Sequence, residues 1–442
     1  MNNNLYIIDD ITELFKLEKE LNEHDYYLNS NKSKYEIYYF ENKNNKDDHK
    51  YVILKDSIAL KHYNDNNLDK YLYNYKIDKP NYNNSLVSLI NSIKKKYIVD
   101  YKNENSIKEL DEILLSKKYK NIVLILLDGF GLNILDLYKE NIPFIKENLF
   151  KKIHSVFPPT TVAATNSVLS GLMPIELGLL GWQQYFKKYN NNIQIFNNKP
   201  FYNNEQIECD ILNNELLFTK FYQDFNCLKH ELFPKFKPDG FETFEKMCDK
   251  IKEICYNENQ NFLYCYWDEP DHTMHQLGIN HNHIKNILID INKNLVKLTN
   301  ELSKDTLVLL ISDHGHVNVK ELKIYKDKEL LNMLENMPGI EPRCASFNVK
   351  KEYLVEFKNR FNKYYSSYYD LYTKEEILNE EFFGLNKSNR HEMVLDFIGD
   401  FVAIAKTDYT FNFIETEEPF FKGHHAGRTK EELEIGLYIL NK

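Results

Sequence analysis

Three continuous apolar runs stand out along the chain, and each ends in acidic residues. They are NIVLILLD (121–128), NFLYCYWDEPD (261–271) and TLVLLISDHG (306–315). Runs of this kind are typical of parallel strands that are buried on both faces. Because parallel strands end at one edge of their sheet, we expect these acidic residues to converge there.

Amphipathic helices are predicted around these strands. Apolar residues recur at the helical period in SLVSLINSIKKKY (85–97), IKELDEILLSK (107–117) and HIKNILIDINKNLVKLTNEL (283–302). Strands that alternate with helices predict an α/β fold with a mainly parallel central sheet flanked by helices.

The remaining segments predict the domain organisation. The first 78 residues are rich in Asn, Lys and Tyr, with strand-like pieces at YEIYYF (35–40) and YVILKD (51–56). We predict a small N-terminal accessory region over 1–78 and a main domain over 79–442. Two long segments of mixed pattern, about 183–250 and 317–420, are predicted to be cap insertions.

Composition and charge exclude some classes of protein. The chain has 442 residues, of which 43% are hydrophobic, so it is long and apolar enough to form a buried core. The 56 basic and 66 acidic residues give a net charge of 56 − 66 = −10, which disfavours binding of a nucleic-acid duplex. A small anionic substrate is compatible with this charge if bound metal ions reverse it locally.

A cytoplasmic location is expected. The amino end, MNNNLYIIDDITELF, lacks the basic and apolar regions of a signal peptide. The densest apolar run, Ile122 to Leu127, is far shorter than the roughly 20 residues of a membrane span. None of the six cysteines forms a C-x-x-C pair, so we expect free thiols.

Two segments offer a strand-end acid and a hydroxyl. Asp128 in LLDGFG ends a strand, and its glycines allow a sharp turn with room for an ion; the alternative is a simple capping Asp. In VFPPTTVAATNSVLSG (156–171), Thr160 and Thr161 fall at the amino end of a predicted helix, where an anion is stabilised. The alternative is that one of these threonines merely caps the helix.

Three further segments offer metal ligands. Asp271 and His275 in DEPDHTMHQLG lie four residues apart, so they face the same side of a helical turn and can bind one cation. Asp313 and His314 in SDHGH end the third strand, and GHHAG (423–427) offers His424 and His425.

Several neighbouring residues are alternatives or are set aside. Asp268, Glu269 and His272 compete with the Asp271–His275 pair. We expect His316 to support a ligand from outside the coordination sphere or to lie on the surface, and we expect His281 and His283 to be surface residues.

With these segments in order, the sequence resembles the alkaline phosphatase superfamily, in its type I phosphodiesterase/nucleotide pyrophosphatase branch. The motifs that carry the resemblance are LLDGFG, FPPTTVAATNSVLSGLMPIELGLLGW, DEPDHTMHQLG, SDHGH and GHHAG, and it extends from about Lys79 to the carboxyl end. It implies an alkaline phosphatase-like fold and two divalent metal ions, expected to be Zn²⁺, with Mn²⁺ or Fe as alternatives.

The resemblance also assigns roles to residues. It implies that Asp128, Asp313 and His314 hold one ion, shared with the nucleophile, and that Asp271, His275 and His425 hold the other. The implied nucleophile is Thr161, nine residues before the Ser170-Gly171 turn, with Thr160 as the alternative.

One departure from the family pattern affects the choice of substrate. The resemblance implies an Asn three residues after the nucleophile, where this chain has Ala164, and Asn166 is the candidate to replace it.

These observations predict a metal-dependent phosphoric-ester hydrolase that acts on a small phosphate ester such as a nucleotide, with no nucleic-acid duplex and no membrane span. The alternatives are a phosphomonoesterase or phospho-headgroup transferase at the same site, for which Arg343 is either a phosphate ligand or part of a surface salt bridge, and a non-catalytic metal-binding module. The oligomeric state is left open.

Overall fold

The computed structural model describes residues 4–30, 32–33, 36–55, 57–64, 78–101, 103, 105–385 and 389–440. These residues form two compact units. The first unit contains the described residues of 1–76 together with 320–375 and 398–420, and the second unit contains those of 77–319, 376–397 and 421–442. Among the described helices, none combines the length and apolar character needed to cross a membrane.

The elements follow one another along the chain with these bounds. The strands are Leu5–Ile8 (β1), Tyr26–Leu28 (β2), Ile37–Asn42 (β3), His49–Leu54 (β4), Asn121–Leu127 (β5), Leu149–His154 (β6), Gln183–Phe186 (β7), Asn191–Gln194 (β8), Lys199–Pro200 (β9), Leu228–Leu232 (β10), Asn261–Trp267 (β11), Thr306–Ser312 (β12), Val317–Asn318 (β13), Lys320–Lys323 (β14), Gly339–Glu341 (β15), Cys344–Phe347 (β16), Tyr369–Thr373 (β17), Phe401–Ala405 (β18), Tyr409–Asn412 (β19), Gly423–His424 (β20) and Glu434–Ile439 (β21). The helices are Ile11–Glu23 (α1), Ile58–Asn64 (α2), Leu86–Tyr97 (α3), Lys108–Ser116 (α4), Leu132–Tyr138 (α5), Pro143–Glu147 (α6), Thr161–Ser170 (α7), Pro174–Leu177 (α8), Phe244–Tyr256 (α9), Asp271–Leu277 (α10), Asn282–Glu301 (α11), Lys328–Asn332 (α12), Leu354–Tyr365 (α13), Lys374–Asn379 (α14), Val394–Phe397 (α15) and Lys430–Leu433 (α16).

The second unit is built on a six-stranded sheet with the order β10-β11-β5-β12-β21-β6. The four strands from β10 to β12 are parallel, whereas β21 runs antiparallel to both of its neighbours. Every residue of β5, β11 and β12 is buried. The prediction of an α/β fold around a mainly parallel sheet, made from these three apolar runs, is confirmed.

Helices cover this sheet and supply its core. Apolar side chains of α9 and α11, among them Met247, Ile251, Leu288 and Leu295, form one buried cluster with side chains of β5, β11 and β12. The strand β10 lies within the 183–250 segment and pairs with β11, and helix α9 begins in that segment and extends beyond it to Tyr256. The predicted helices over 85–97, 107–117 and 283–302 are confirmed as α3, α4 and α11.

The described residues of the first unit contain three groups of paired strands. A four-stranded sheet has the order β1-β4-β3-β2. Its strands β3 and β4 confirm the predicted strand pieces over 37–40 and 51–54, whereas Glu36 and Lys55 lie in turns and Tyr35 and Asp56 lie outside the described residues. A second group joins β15, β16, β18 and β17 in antiparallel pairs, and β14 runs parallel to β19.

Residues of the predicted accessory region therefore share a compact unit with segments more than 250 residues later in the chain. Residues 65–77 of that region lie outside the described part. The domain limits at 78 and 79 stay a prediction. All six cysteines are free thiols, as expected.

Candidate active site

The carboxyl ends of three central strands are level with one another. Leu127 of β5 pairs in register with Trp267 of β11 on one side and with Ser312 of β12 on the other. The residues that follow these strands therefore emerge at one edge of the sheet. Asp128 is tied to the next turn, because the backbone N–H of Asp271 donates to the Asp128 carbonyl oxygen at 3.1 Å.

Gly129 makes this close approach possible. Its φ is +72°, in the left-handed region that favours glycine. A Cβ at this position would lie 2.8 Å from the Asp271 Cβ. Its N–H donates to Asp313 Oδ1 at 3.0 Å. The Asp-Gly of LLDGFG thus joins the three strand ends.

The first cluster of possible metal ligands consists of Asp128, Asp313 and His314, whose ligand atoms lie within 4.8 Å of one another. His314 Nε2 lies 3.3 Å from Asp128 Oδ1 and 3.5 Å from Asp313 Oδ2. The other ring nitrogen, Nδ1, is 3.0 Å from the Gly315 carbonyl oxygen. A proton on Nδ1 would leave the Nε2 lone pair directed towards the carboxylates, which is the usual orientation of a ligating histidine.

Thr161 lies beside this cluster as the first residue of helix α7. Its Oγ1 is 3.3 Å from His314 Nε2 and 3.5 Å from Asp128 Oδ2, and the residue is half-buried. Thr160 precedes it as the N-cap residue and is only 1% exposed. The Thr161 hydroxyl therefore faces the first cluster.

In helix α7, Ala164 occupies the position of the asparagine expected three residues after Thr161, and Asn166 is the candidate to replace it. Ala164 is fully buried in α7. Asn166 is also buried, and its side-chain nitrogen donates to the Val162 carbonyl oxygen at 2.7 Å within the same helix. That nitrogen is therefore occupied by the helix backbone.

The second cluster consists of Asp271 and three imidazoles, those of His275, His316 and His425. Asp271 Oδ2 is 3.2 Å from His275 Nε2, and Oδ1 is 3.3 Å from His316 Nε2 and 3.8 Å from His425 Nε2. Nδ1 of His275 is 3.0 Å from the Gly423 carbonyl oxygen. The pairing predicted from the spacing of Asp271 and His275 is thus present on one turn of α10.

His425 lies between the two clusters. Its ring stacks on that of His314, with the centroids 3.8 Å apart, and its Nδ1 is 3.1 Å from the Pro159 carbonyl oxygen. Ligand atoms of His425, His314 and Asp271 lie within 4.8 Å of one another. The two clusters therefore form one continuous centre.

Burial and mutual repulsion affect the carboxylates of this centre. Burial raises the pKa of Asp128 well above its usual value, and the neighbouring Asp313 and Asp271 raise it further. Burial also raises the pKa of Asp313. Burial by itself would raise the pKa of Asp271, but the three imidazoles of the second cluster outweigh it and hold that pKa well below its usual value.

Burial lowers the pKa of two imidazoles of the second cluster, which favours the neutral form that metals require. Burial lowers the pKa of His316 to about 4. Burial likewise lowers the pKa of His425 well below its usual value, and the neighbouring His314 adds to the effect. Neutral imidazoles beside crowded carboxylates are favourable for a divalent cation.

Buried polar atoms of the two clusters that lack hydrogen-bond partners indicate whether cations fit this site. Among the described residues, buried Asp128 Oδ1, Asp271 Oδ1 and Asp313 Oδ2 have no hydrogen-bond donor, and neither ring nitrogen of His316 has a hydrogen-bond partner. Such groups are costly to bury unless something binds them. Carboxylate and imidazole donors together suit Zn²⁺, Mn²⁺ or Fe, so this donor set fits divalent metal ions.

Two of the alternatives to the Asp271–His275 pair, His272 and Glu269, lie in environments that differ from those of the two clusters. His272 is exposed, and Glu269 accepts hydrogen bonds from the backbone and hydroxyl of Thr273. His281 and His283 are exposed, as predicted. The alternative of a surface position for His316 is wrong, because its side chain is fully buried by the second cluster.

The interpretation of Arg343 as part of a surface salt bridge is wrong. Its side chain is completely buried in the first unit, so it forms no surface salt bridge. The guanidinium donates to the Thr407 and Tyr409 carbonyl oxygens, each at 2.8 Å. Arg343 stabilises the packing around β19, and no argument for a phosphate ligand remains.

Tyr266 is a further residue of the site that was not predicted from the sequence. This buried residue of β11 donates its hydroxyl hydrogen bond to Asp128 Oδ2. The only sequence signal was a hydroxyl placed next to the last residue of a strand that is otherwise apolar. By fixing one oxygen of Asp128, Tyr266 orients the carboxylate towards the first cluster.

Comparisons with known proteins agree with this geometry. A family model described as type I phosphodiesterase/nucleotide pyrophosphatase matches residues 122–428. No curated protein sequence matches the chain.

Solved structures of similar fold include murine ectonucleotide pyrophosphatase/phosphodiesterase 5, with 17% identity, a TM-score of 0.54 and coverage of 72% of this chain and 87% of that one. An inactive threonine-to-alanine variant of the murine protein in complex with AMP has 17% identity, a TM-score of 0.55 and coverage of 73% and 87%. The human counterpart has 15% identity, a TM-score of 0.51 and coverage of 72% and 87%. These similarities show an alkaline phosphatase-like fold.

Proposed function

This chain belongs to the type I phosphodiesterase/nucleotide pyrophosphatase family and is a hydrolase of that type, and from this premise we propose that Thr161 and two divalent metal ions perform its reaction. The observation that carries the proposal is the position of the Thr161 hydroxyl. It lies at the amino end of α7, 3.3 Å from His314 and 3.5 Å from Asp128.

Six side chains would hold the ions. Asp128, Asp313 and His314 would hold one, next to Thr161, and Asp271, His275 and His425 would hold the other. When bound, such ions activate the nucleophile and stabilise the charge on the transferred phosphoryl group. Two dications against three carboxylates leave a local charge of 4 − 3 = +1, which attracts an anionic substrate even though the whole chain carries −10.

Thr161 acts as the nucleophile in this proposal. Its oxygen forms a bond to phosphorus in line with the leaving group, while the bond from phosphorus to the leaving alcohol breaks. The alcohol departs with the proton that Thr161 gives up, and a phosphothreonine remains. Water then attacks phosphorus, and Thr161 regains a proton from that water. The backbone N–H groups of the first turn of α7 face the anion during both steps.

The relatives support the finer parts of this proposal. The murine relative is inactive when a threonine is replaced by alanine, and that variant was solved with AMP. We therefore propose a nucleotide or a similar small phosphate ester as the substrate. We propose Zn²⁺ as the ion because the donor set combines carboxylates with imidazoles, with Mn²⁺ or Fe as alternatives.

A phosphomonoesterase is the second candidate. Ala164 at the place of the expected asparagine is the observation that favours it. Arg343 no longer supports it, because its guanidinium is buried against backbone carbonyls.

The experiment compares Thr161→Ala with wild type after loading both with Zn²⁺. Hydrolysis of bis-p-nitrophenyl phosphate and p-nitrophenyl phosphate is measured, and acid-quenched wild type is searched by mass spectrometry for a phosphoryl group on Thr161. We expect Thr161→Ala to lose at least about 1,000-fold in kcat and Thr160→Ala to retain activity. Wild-type hydrolysis by metal-loaded Thr161→Ala would refute the nucleophile, and a preference for the monoester would favour the second candidate.

A further inference from the structure

We propose that His316 is a direct ligand of the metal ion held by Asp271, so that this ion has one carboxylate and three imidazole ligands. The inference rests on the proposed two-ion centre and adds a residue to it. His316 follows the acidic end of β12, but its ring lies in the second cluster, and Nε2 is 3.3 Å from Asp271 Oδ1.

The backbone holds His316 in this position from two sides. The Asn133 side chain donates to the His316 carbonyl oxygen at 2.6 Å. Strand β13, which begins one residue later, pairs antiparallel with β20, so that Val317 lies opposite His424. This pairing places His316 beside the segment that carries His425, and the two rings are 5.6 Å apart between centroids.

Gly423 leaves the space that the ring occupies. A Cβ at position 423 would lie 2.6 Å from His316 Cε1 and 2.9 Å from its Nδ1. The ring is therefore packed directly against the backbone of β20. The surrounding backbone therefore fixes the position of the His316 ring.

The environment of the ring fits a ligand better than a packing residue. The side chain is fully buried, and among the described residues neither ring nitrogen has a hydrogen-bond partner. Buried polar atoms without hydrogen-bond partners are rare in folded proteins, and coordination of an ion satisfies such atoms. An apolar residue would fill the same space without the cost of burying two ring nitrogens.

Three possible donors converge at this point. Ligand atoms of Asp271, His275 and His316 lie within 4.8 Å of one another. The His275 and His316 rings are nearly perpendicular, at 73°, with centroids 4.8 Å apart. Two imidazoles and a carboxylate at these distances match the donor set of a zinc site with room for a further ligand.

The two metal positions would then differ in chemistry. The first cluster offers two carboxylates and one imidazole, whereas the second offers one carboxylate and three imidazoles. Imidazole donors favour Zn²⁺, Co²⁺ and Ni²⁺, while carboxylate donors accept Mn²⁺ and Mg²⁺ more readily. The second position would therefore select for ions that prefer nitrogen donors.

The test measures metal binding and does not depend on activity. Metal-free wild type, His316→Met and His316→Gln are titrated with Co²⁺, whose visible absorption reports its ligands, and Zn²⁺ affinities are obtained by competition with a chelator. Met fills the space of the ring without nitrogen, and Gln keeps a hydrogen-bond donor for Asp271. His272→Gln, at an exposed histidine on the same helix as Asp271, is the matched control.

We expect wild type and His272→Gln to bind two ions. Both His316 variants should bind one of the two at least about 100-fold more weakly, the upper limit for loss of a group that only orients a ligand. X-ray absorption of the zinc-loaded proteins should show fewer imidazoles in the variants. If His316→Met does not fold without metal, His316→Gln decides.

Two results would overturn the inference. Unchanged affinity and an unchanged Co²⁺ spectrum in both variants would remove His316 from the coordination sphere, as would restoration of wild-type binding by Gln alone. Failure of the wild type itself to bind two ions would instead refute the proposed function.

Discussion

The metal-free protein should become more stable when one of its buried carboxylates is removed. Ligand oxygens of Asp128 and Asp313 lie within 4.8 Å of each other, and both side chains are almost completely buried. Asp128→Asn keeps the shape of the side chain and an oxygen that accepts the Tyr266 hydrogen bond. It removes the charge that a metal ion would otherwise balance.

The distance sets the size of the effect. Two unit charges at 4.8 Å repel each other by about 3.5 kcal/mol at an effective dielectric constant of roughly 20. The wild type avoids part of this repulsion by keeping a proton on the pair, which itself has a cost at neutral pH. We expect the free energy of unfolding of metal-free Asp128→Asn at pH 8 to exceed that of wild type by about 2–4 kcal/mol.

The sign of the pH dependence follows from the raised pKa. Burial raises the pKa of Asp128 well above its usual value, so the folded wild type keeps a proton that the unfolded chain releases. Wild-type stability therefore falls as the pH rises above the unfolded value of about 4, by about 1.4 kcal/mol per pH unit, up to the folded pKa. The advantage of Asp128→Asn should vanish near pH 4 and grow with pH.

The assay is urea unfolding of chelator-treated protein at several pH values, followed by tryptophan fluorescence. Both tryptophans, Trp182 and Trp267, belong to the second unit, so the signal reports on the unit that contains the site. Asp136→Asn is the control, because that side chain is 74% exposed and should change stability by less than about 0.5 kcal/mol. Added Zn²⁺ should stabilise wild type more than Asp128→Asn. Equal stability of the two metal-free proteins, or a difference that does not vary with pH, would refute the reasoning.

Two further predictions concern a tyrosine and an arginine. Tyr266→Phe removes the hydroxyl that orients Asp128, so metal affinity or kcat should fall by about 10–100-fold. The control is Tyr438→Phe, which should leave both quantities unchanged because the buried Tyr438 hydroxyl has no partner among the described residues. Equal behaviour of the two variants would contradict the role of Tyr266. Arg343→Lys should destabilise the first unit by about 2 kcal/mol in calorimetry, because two buried carbonyl oxygens lose their guanidinium donors. The ratio of the activities on the two nitrophenyl substrates should stay the same. A changed ratio would restore Arg343 as a substrate ligand.

Much of the fold could be read from the chain because its central strands are buried on both faces. Such strands are continuous apolar runs, and β5, β11 and β12 agree with the predicted runs to within the acidic residues that follow them. The candidate ligands at these ends were found for the same reason, since they interrupt the apolar pattern at its last position.

The remaining features depend on partners distant in sequence. Arg343 was expected at the surface or at a phosphate, yet its donors reach carbonyls more than 60 residues later. One alternative placed His316 on the surface, because adjacent residues in SDHGH give no information about the packing of its ring against Gly423 and His425. Tyr266 looked like one more large residue in an apolar strand.

The sequence by itself determined the three central strands, the acids at their ends, several amphipathic helices and the threonine at the start of a helix. These features depend on local periodicity and on residue types within a few positions. Only the tertiary structure decided that His316 Nε2 lies 3.3 Å from Asp271 Oδ1 and that the Thr161 hydroxyl faces the first cluster. Such contacts depend on strand register and on the close approach of Gly129 and Gly423 to other parts of the chain, which bring together side chains as far apart in sequence as Asp271 and His425.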